Sequence, residues 1–269
     1  MPELPEVETV RRVLLTNLIG RRITKIESNY PQMVEENFDS FKDKLIGKTF
    51  IDIERKGKFL IFKLDDIYLI SHLRMEGKFY YQRKEETLNK HIHMVFSLDN
   101  DYELRYQDTR KFGRMITKDD NSLYTTAPLN HLGPDANSLI DSDSLFNKLN
   151  KKSIPIKEAL LNQELIAGLG NIYVDEVLAK VHISPFRVSN MLTHEELLLI
   201  LEASKEILNK AILYKGTTIR SYTSSLGVFG EYQSFLLVHT KTTCPYCKGA
   251  ITKTRVGGRG TYYCEKCQK

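Results

Sequence analysis

Cys244-Pro-Tyr-Cys247 and Cys264-Glu-Lys-Cys267 stand sixteen residues apart in the last twenty-six positions of this 269-residue chain, and they are its only cysteines. Two CxxC knuckles at that separation supply four thiolates to one tetrahedral centre, the geometry that suits Zn²⁺. A pair of disulfides is the alternative, but nothing marks the chain as secreted. Four thiolates fill the coordination sphere and leave no place for a catalytic water, so one structural Zn²⁺ is expected on a small β-ribbon. From Lys241 to Lys269 seven basic side chains face one acid, Glu265, while the whole chain carries only +5. Positive charge gathered on a small rigid module predicts contact with nucleic-acid phosphates, with a merely solvated lysine-rich terminus as the competing reading.

Working outward, the rest of the chain divides in two. Val7, Val10, Val13, Leu14 and Leu18 recur at helical spacing near the N-terminus. Seven short strand-like runs follow, at 22–28, 49–56, 59–64, 67–73, 78–83, 91–98 and 102–106, which argues for a β-sandwich or barrel. The character changes at Leu132-Gly-Pro-Asp. Beyond it, 145–150, 156–162, 172–180 and 195–214 carry helical periodicity, the last behind a Thr193-His-Glu-Glu capping pattern. The expected organisation is therefore α+β: an N-terminal β-sandwich with an N-terminal helix (1–130), a linker (131–144), a helical domain (145–240) and the zinc ribbon (241–269). Residues 215–230 read as a long loop, and a loop of that length inside a domain is more often functional than idle.

The composition, 41% hydrophobic and 27% charged, is ordinary for a globular protein. No apolar run approaches the ~20 residues of a membrane span, and the N-terminus lacks the pattern of a signal peptide. A reducing cytoplasm is expected, with no organic cofactor and no membrane partner.

Met1-Pro2-Glu3-Leu4-Pro5-Glu6 is the second chemical feature. Trimming Met1 leaves Pro2 as a free secondary amine, and an α-amino group with a pKa near 8 is partly neutral at physiological pH. Such an amine attacking a sugar's anomeric carbon forms an iminium, an electron sink for elimination, and Glu3 beside it can move the protons. On its own, the segment reads more readily as a proline-rich helix start with dipole-complementing acids.

Motifs along the whole chain settle that choice. PELPEVETVRR, RKGKFL (55–60), SHLRMEGK (71–78), DTRKFG (108–113), IKEALLNQELIAGLGNIYVDEVL (156–178), TTIRSY (217–222) and the terminal GGRGTYYCEKCQ resemble the bacterial formamidopyrimidine-DNA glycosylase family. The resemblance implies a β-sandwich, a helix–two-turns–helix domain and a zinc finger. It also implies excision of oxidised purines from duplex DNA followed by β,δ-elimination, by a monomer. It makes Pro2 the nucleophile, Glu3 the acid/base, and Lys58 and Arg259 phosphate-gripping residues of the catalytic set. His72, His91, Asn171 and Lys157 become DNA contacts, Lys157 near the damaged base.

An enzyme that extrudes a base leaves a void beside its orphaned partner. The resemblance assigns that void to Met75, Arg110 and Phe112: a flexible filler, a multi-donor cation for the orphan's edge and a ring that wedges the stack. Glu76 and the backbone of Thr217, Ile219, Arg220, Ser221 and Tyr222 would read the flipped base. Two rivals remain: the sister family, endonuclease VIII, which acts on oxidised pyrimidines, and a non-enzymatic zinc-ribbon DNA-binding protein. PELPE in place of PEGPE and the complete Met75/Arg110/Phe112 set favour the purine enzyme.

Overall fold

The computed structural model describes residues 1–217 and 230–269, which form two compact units: 1–130 with 215–217 and 230, and 131–214 with 231–269. In the first unit, helix α1 (Leu4–Leu18) starts behind Glu3 with Pro5 in its first turn, where a missing N–H costs nothing. Its stripe of Val7, Val10, Leu14 and Leu18 is fully buried. Two four-stranded antiparallel sheets carry the rest. With β1 (Ile23–Ser28), β2 (Phe50–Lys56), β3 (Phe59–Leu64), β4 (Tyr68–His72), β5 (Lys78–Arg83), β6 (Ile92–Leu98), β7 (Tyr102–Gln107) and β8 (Arg114–Lys118), their orders are β1-β6-β7-β5 and β2-β3-β4-β8.

The expected strands are all present, each end within one residue of its expected place. Two elements went unread: β8, whose basic and β-branched residues follow directly on the DTRKFG motif, and helix α2 (Phe38–Leu45), capped by Asn37. Rings bind the core edge to face, Phe50 to Phe62 at 5.9 Å, Phe62 to Phe79 at 5.4 Å and Phe79 to Tyr106 at 4.9 Å. Contacts of this geometry add roughly 0.5–1.5 kcal/mol each beyond their buried area.

The second unit holds α3 (Ser142–Leu149), α4 (Ile156–Leu161), α5 (Asn171–Lys180) and α6 (His194–Leu213). The capping pattern read at Thr193 is realised: Thr193 Oγ1 accepts the Glu196 N–H and the Glu196 carboxylate accepts the Thr193 N–H. The stretch 133–136 is hydrogen-bonded to 163–167, for example from Ala167 N–H to the Pro134 carbonyl at 2.8 Å. It therefore packs as part of this unit. Strands β9 (Thr252–Val256) and β10 (Arg259–Tyr263) form the terminal hairpin. No helix among the described residues is long and apolar enough to cross a membrane.

Candidate nucleic-acid interface and metal centre

The N-terminal chemistry is built into the start of α1. Pro2 is buried and Glu3 is only 2% exposed, while Met1 ahead of them is 40% exposed. Glu6 organises the segment: its Oε2 accepts the Glu3 N–H at 2.8 Å, and its Oε1 accepts the Thr217 N–H at 2.8 Å and the Thr217 hydroxyl at 3.2 Å. Gly216 sits at φ 78° against this carboxylate, and a Cβ there would stand 2.5 Å from Oε1. One buried acid thus fixes both the residue expected to move protons and the residue that leads into 218–229. Sequence reading passed over Glu6 as a helix-dipole acid. Its spacing of three from Glu3, the capping-box interval, was the available signal. Ile219, Arg220, Ser221 and Tyr222 lie outside the described residues.

Lys58 follows Gly57 (φ 56°) in the two-residue turn between β2 and β3 and is 6% exposed, not the exposed lysine of an ordinary turn. His72 ends β4, its ring 4.5 Å from that of Phe59. Burial, then the charges of Arg74 and Lys58, push its pKa down to about 3. Nδ1 accepts the Arg74 N–H at 2.9 Å, so the neutral ring presents an N–H at Nε2, a donor fit for a phosphate oxygen. His91 lies at the mouth of β6, half-buried, its N–H held by Asn89.

Met75 and Glu76 occupy the turn between β4 and β5, closed by the Gly77 N–H on the Leu73 carbonyl. Arg110 and Phe112 occupy the loop between β7 and β8. Asp108, fully buried, shapes that loop by accepting the N–H groups of Arg110, Phe112 and Gly113 at 3.0, 2.9 and 2.8 Å. Phe112 is 46% exposed, and the Arg110 guanidinium lies 4.7 Å from its ring centre. An exposed aromatic ring kept on a rigid loop is the arrangement a wedge needs.

In the second unit, Gln163 pins the turns ahead of α5. Its amide donates to the Leu161 and Leu169 carbonyls and its oxygen accepts the Gly168 N–H, where φ is 100°. Asn171 opens α5 and donates to the Gly260 carbonyl at 2.8 Å. Lys157 shares that carbonyl at 3.1 Å and adds Asp175 at 2.7 Å and Thr261 at 2.8 Å. Lys157 is fully buried. Its ammonium joins α4, α5 and the ribbon within the second unit, whereas Pro2, Glu3 and Glu76 belong to the first. Arg259, next to Gly260, is exposed at the turn of the hairpin.

The four cysteine sulfurs lie within 4.8 Å of one another, Cys244 to Cys267 at 3.8 Å and Cys247 to Cys264 at 3.5 Å. A tetrahedral zinc with Zn–S bonds of about 2.3 Å separates its sulfurs by about 3.8 Å, so the donor set and spacing fit the ion. The ribbon is tied down nearby: Gln268 accepts the Cys264 N–H and donates to the Ile183 carbonyl.

Comparison with known proteins completes the picture. Residues 1–115 match the formamidopyrimidine-DNA glycosylase N-terminal domain, 132–223 the H2TH domain of the same enzymes and 243–269 the zinc finger found in FPG and IleRS. The chain belongs to the formamidopyrimidine-DNA glycosylase family. It is 42% identical to the Bacillus licheniformis formamidopyrimidine-DNA glycosylase and 41% identical to that of Lactobacillus delbrueckii, each over the full length of both chains. A mutant Lactococcus lactis enzyme in complex with Fapy-dG DNA superposes with a TM-score of 0.95 at 42% identity. The same organism's enzyme on abasic-site DNA gives 0.93 at 41%, and both span all of either chain. The family is one of DNA-repair glycosylases, and this chain is an enzyme of that kind carrying one structural zinc site.

Proposed function

We propose that the protein is a bifunctional glycosylase and abasic-site lyase that removes oxidised purines, 8-oxoguanine and formamidopyrimidines, from double-stranded DNA. The observation that carries the reading is the Glu3–Glu6–Thr217 linkage: a buried carboxylate joins the Pro2-Glu3 terminus to the segment that would read the lesion. Once Met1 is removed, the Pro2 nitrogen attacks C1′ of the lesion nucleotide, the N-glycosyl bond breaks, and the base departs with a proton. The nitrogen then loses its proton, and its lone pair expels O4′ from C1′, opening the sugar ring to an iminium while O4′ takes up a proton. Loss of a C2′ proton expels the 3′ phosphate, and a second elimination expels the 5′ phosphate. Glu3 supplies and accepts protons in these steps.

Lys58, His72, His91, Asn171 and Arg259 hold phosphates, and Met75, Arg110 and Phe112 fill the void left by the flipped base. Glu76, with Thr217 and the residues after it, reads the lesion. The family's solved complexes with damaged DNA support damaged DNA as the partner. Lys157 serves the site through its buried partners. The enzyme works as a cytoplasmic monomer built from the β-sandwich, linker, helical and ribbon segments read in the sequence.

Borohydride trapping tests the chemistry. Protein lacking Met1 should form a covalent adduct with 8-oxoguanine duplex, and protein that retains Met1, whose Pro2 nitrogen is an amide, should bind without trapping. Normal cleavage by protein shown by mass spectrometry to retain Met1 would sink Pro2 as nucleophile. A competition between oxidised-purine and oxidised-pyrimidine duplexes decides against the endonuclease VIII alternative if the purines win.

A further inference from the structure

Two glycines, one two residues after Met75 and one directly after Phe112, meet at one phenol. A Cβ on Gly77 would stand 2.0 Å from Tyr106 Oη, and one on Gly113 would stand 1.8 Å from the same atom. Gly77 closes the turn that carries Met75 and Glu76; Gly113 closes the loop that carries Arg110 and Phe112. Tyr106 itself is fully buried on β7, paired with Phe79 of β5 and Met94 of β6. It ends the edge-to-face series that begins at Phe50. Its hydroxyl is thus fixed from the core side and has both backbones pressed against it. A two-glycine seat at one oxygen leaves neither segment room to slide past the other.

We propose that Tyr106 is a positioning residue: its phenol holds the Met75 turn and the Arg110–Phe112 loop in one fixed relation, so that filler, orphan-base reader and wedge enter the duplex as a unit. The inference rests on the void-filling roles proposed above. Asp108 preorganises the second loop from within, but it has no such link to the first, and Tyr106 sets the spacing between the two. Specificity for the orphaned base depends on that spacing, since Arg110 must meet a base edge at hydrogen-bond distance while Met75 fills the gap beside it.

The experiment compares Tyr106→Phe, Gly113→Ala and their double variant with Arg110→Ala. The readouts are excision of 8-oxoguanine opposite each of the four bases and fluorescence of 2-aminopurine placed as the orphan. Tyr106→Phe keeps the ring packing and removes the oxygen. It should lower the preference among opposite bases by roughly tenfold, below the ~100-fold that a 1 Å misplacement can cost. It should also slow the fluorescence change that reports void filling, and lower the ratio of duplex to single-stranded abasic cleavage. Gly113→Ala should impair the same readouts, and adding Tyr106→Phe should restore part of its loss, because the nearest clashing atom is then gone.

Strictly multiplicative losses in the double variant, or an equal loss on duplex and single strand, would overturn the positioning role. If Arg110→Ala shifts the opposite-base ranking and Tyr106→Phe does not, the inference fails while the void-filling reading stands. If Arg110→Ala leaves the ranking intact, that reading falls and takes this one with it. Should Tyr106→Phe fail to fold, Gly113→Ala decides alone: an unchanged ranking in a folded, zinc-loaded protein rejects the proposal.

Discussion

Lys157 and Asp175 form an ion pair from which water is wholly excluded, Nζ to Oδ1 at 2.7 Å with both side chains at 0% exposure. The other Asp175 oxygen accepts the Tyr262 N–H and meets His239 Nδ1 at 2.8 Å. Removing one partner of such a pair strands a buried charge, at a cost of about 3–5 kcal/mol. Lys157→Ala should therefore lower the urea midpoint markedly and also weaken DNA binding, because the Gly260 carbonyl beside Arg259 loses a donor. Lys157→Met, which refills the volume but leaves the Asp175 carboxylate without its ammonium, should be nearly as unstable. The double change Lys157→Met/Asp175→Leu should recover part of the loss, the remainder being the cost of leaving the Tyr262 N–H and His239 without their acceptor. A double variant less stable than Lys157→Met would mean that those two hydrogen bonds outweigh the stranded charge.

Much of this molecule was legible before folding, and the reason is local. The strands, the α1 stripe and the Thr193 cap follow from periodicities and capping chemistry that act over a few residues. So does the zinc ribbon, because metal geometry dictates the cysteine spacing. What escaped was produced by distance in sequence. Lys157 reads as a surface residue at a helix start until Asp175 and Thr261 are brought to it. Tyr106 reads as one more strand residue until Gly77 and Gly113 close on it. β8 was missed because polar Thr117 is buried beside Met115 while apolar Ile116 lies on the less buried face, which hides the alternation.

Zinc should serve the ribbon's fold rather than the chemistry. Metal binding to such a module is coupled to its folding, and the hairpin carries Arg259 and the Gly260 carbonyl that Asn171 and Lys157 grip. Replacing Cys247 with serine should release zinc, measured by metal analysis, and weaken binding to damaged and undamaged duplex alike. A zinc-free variant with unchanged affinity would contradict this role.

His72 makes stability depend on pH with a definite sign. Its pKa falls to about 3 in the fold from an ordinary 6.5, so below pH 6.5 the unfolded chain takes up a proton that the folded chain refuses. Stability is complete above pH 6.5 and declines as pH falls toward 3, by at most about 1.4 kcal/mol per pH unit for one proton. Glu8, held down to about 2 by Arg11 and Arg12 against the cost of burial, contributes only in the window from 4.5 downward. His72→Asn should therefore flatten the denaturation profile between pH 6.5 and 5. An unchanged slope there would show that His72 is not held neutral.

Clamping and reading should separate by mutation. Arg259 is an exposed cation at the hairpin turn, so Arg259→Ala should weaken binding across all lesions and reduce the slope of log affinity against log salt by about one. His72→Ala should weaken binding without that change in slope, since a neutral donor releases no counterion. Under the proposed roles Arg110 meets the orphaned base instead, and a base-edge contact is worth roughly 1–3 kcal/mol of discrimination. Arg110→Ala should change the ranking of cytosine against the other three bases opposite 8-oxoguanine, while Arg259→Ala slows all four pairs by a common factor. Excision rates for the four duplexes, measured at two salt concentrations, contain the whole comparison. If Arg259→Ala reorders the opposite bases and Arg110→Ala scales them uniformly, the two arginines have been given each other's roles.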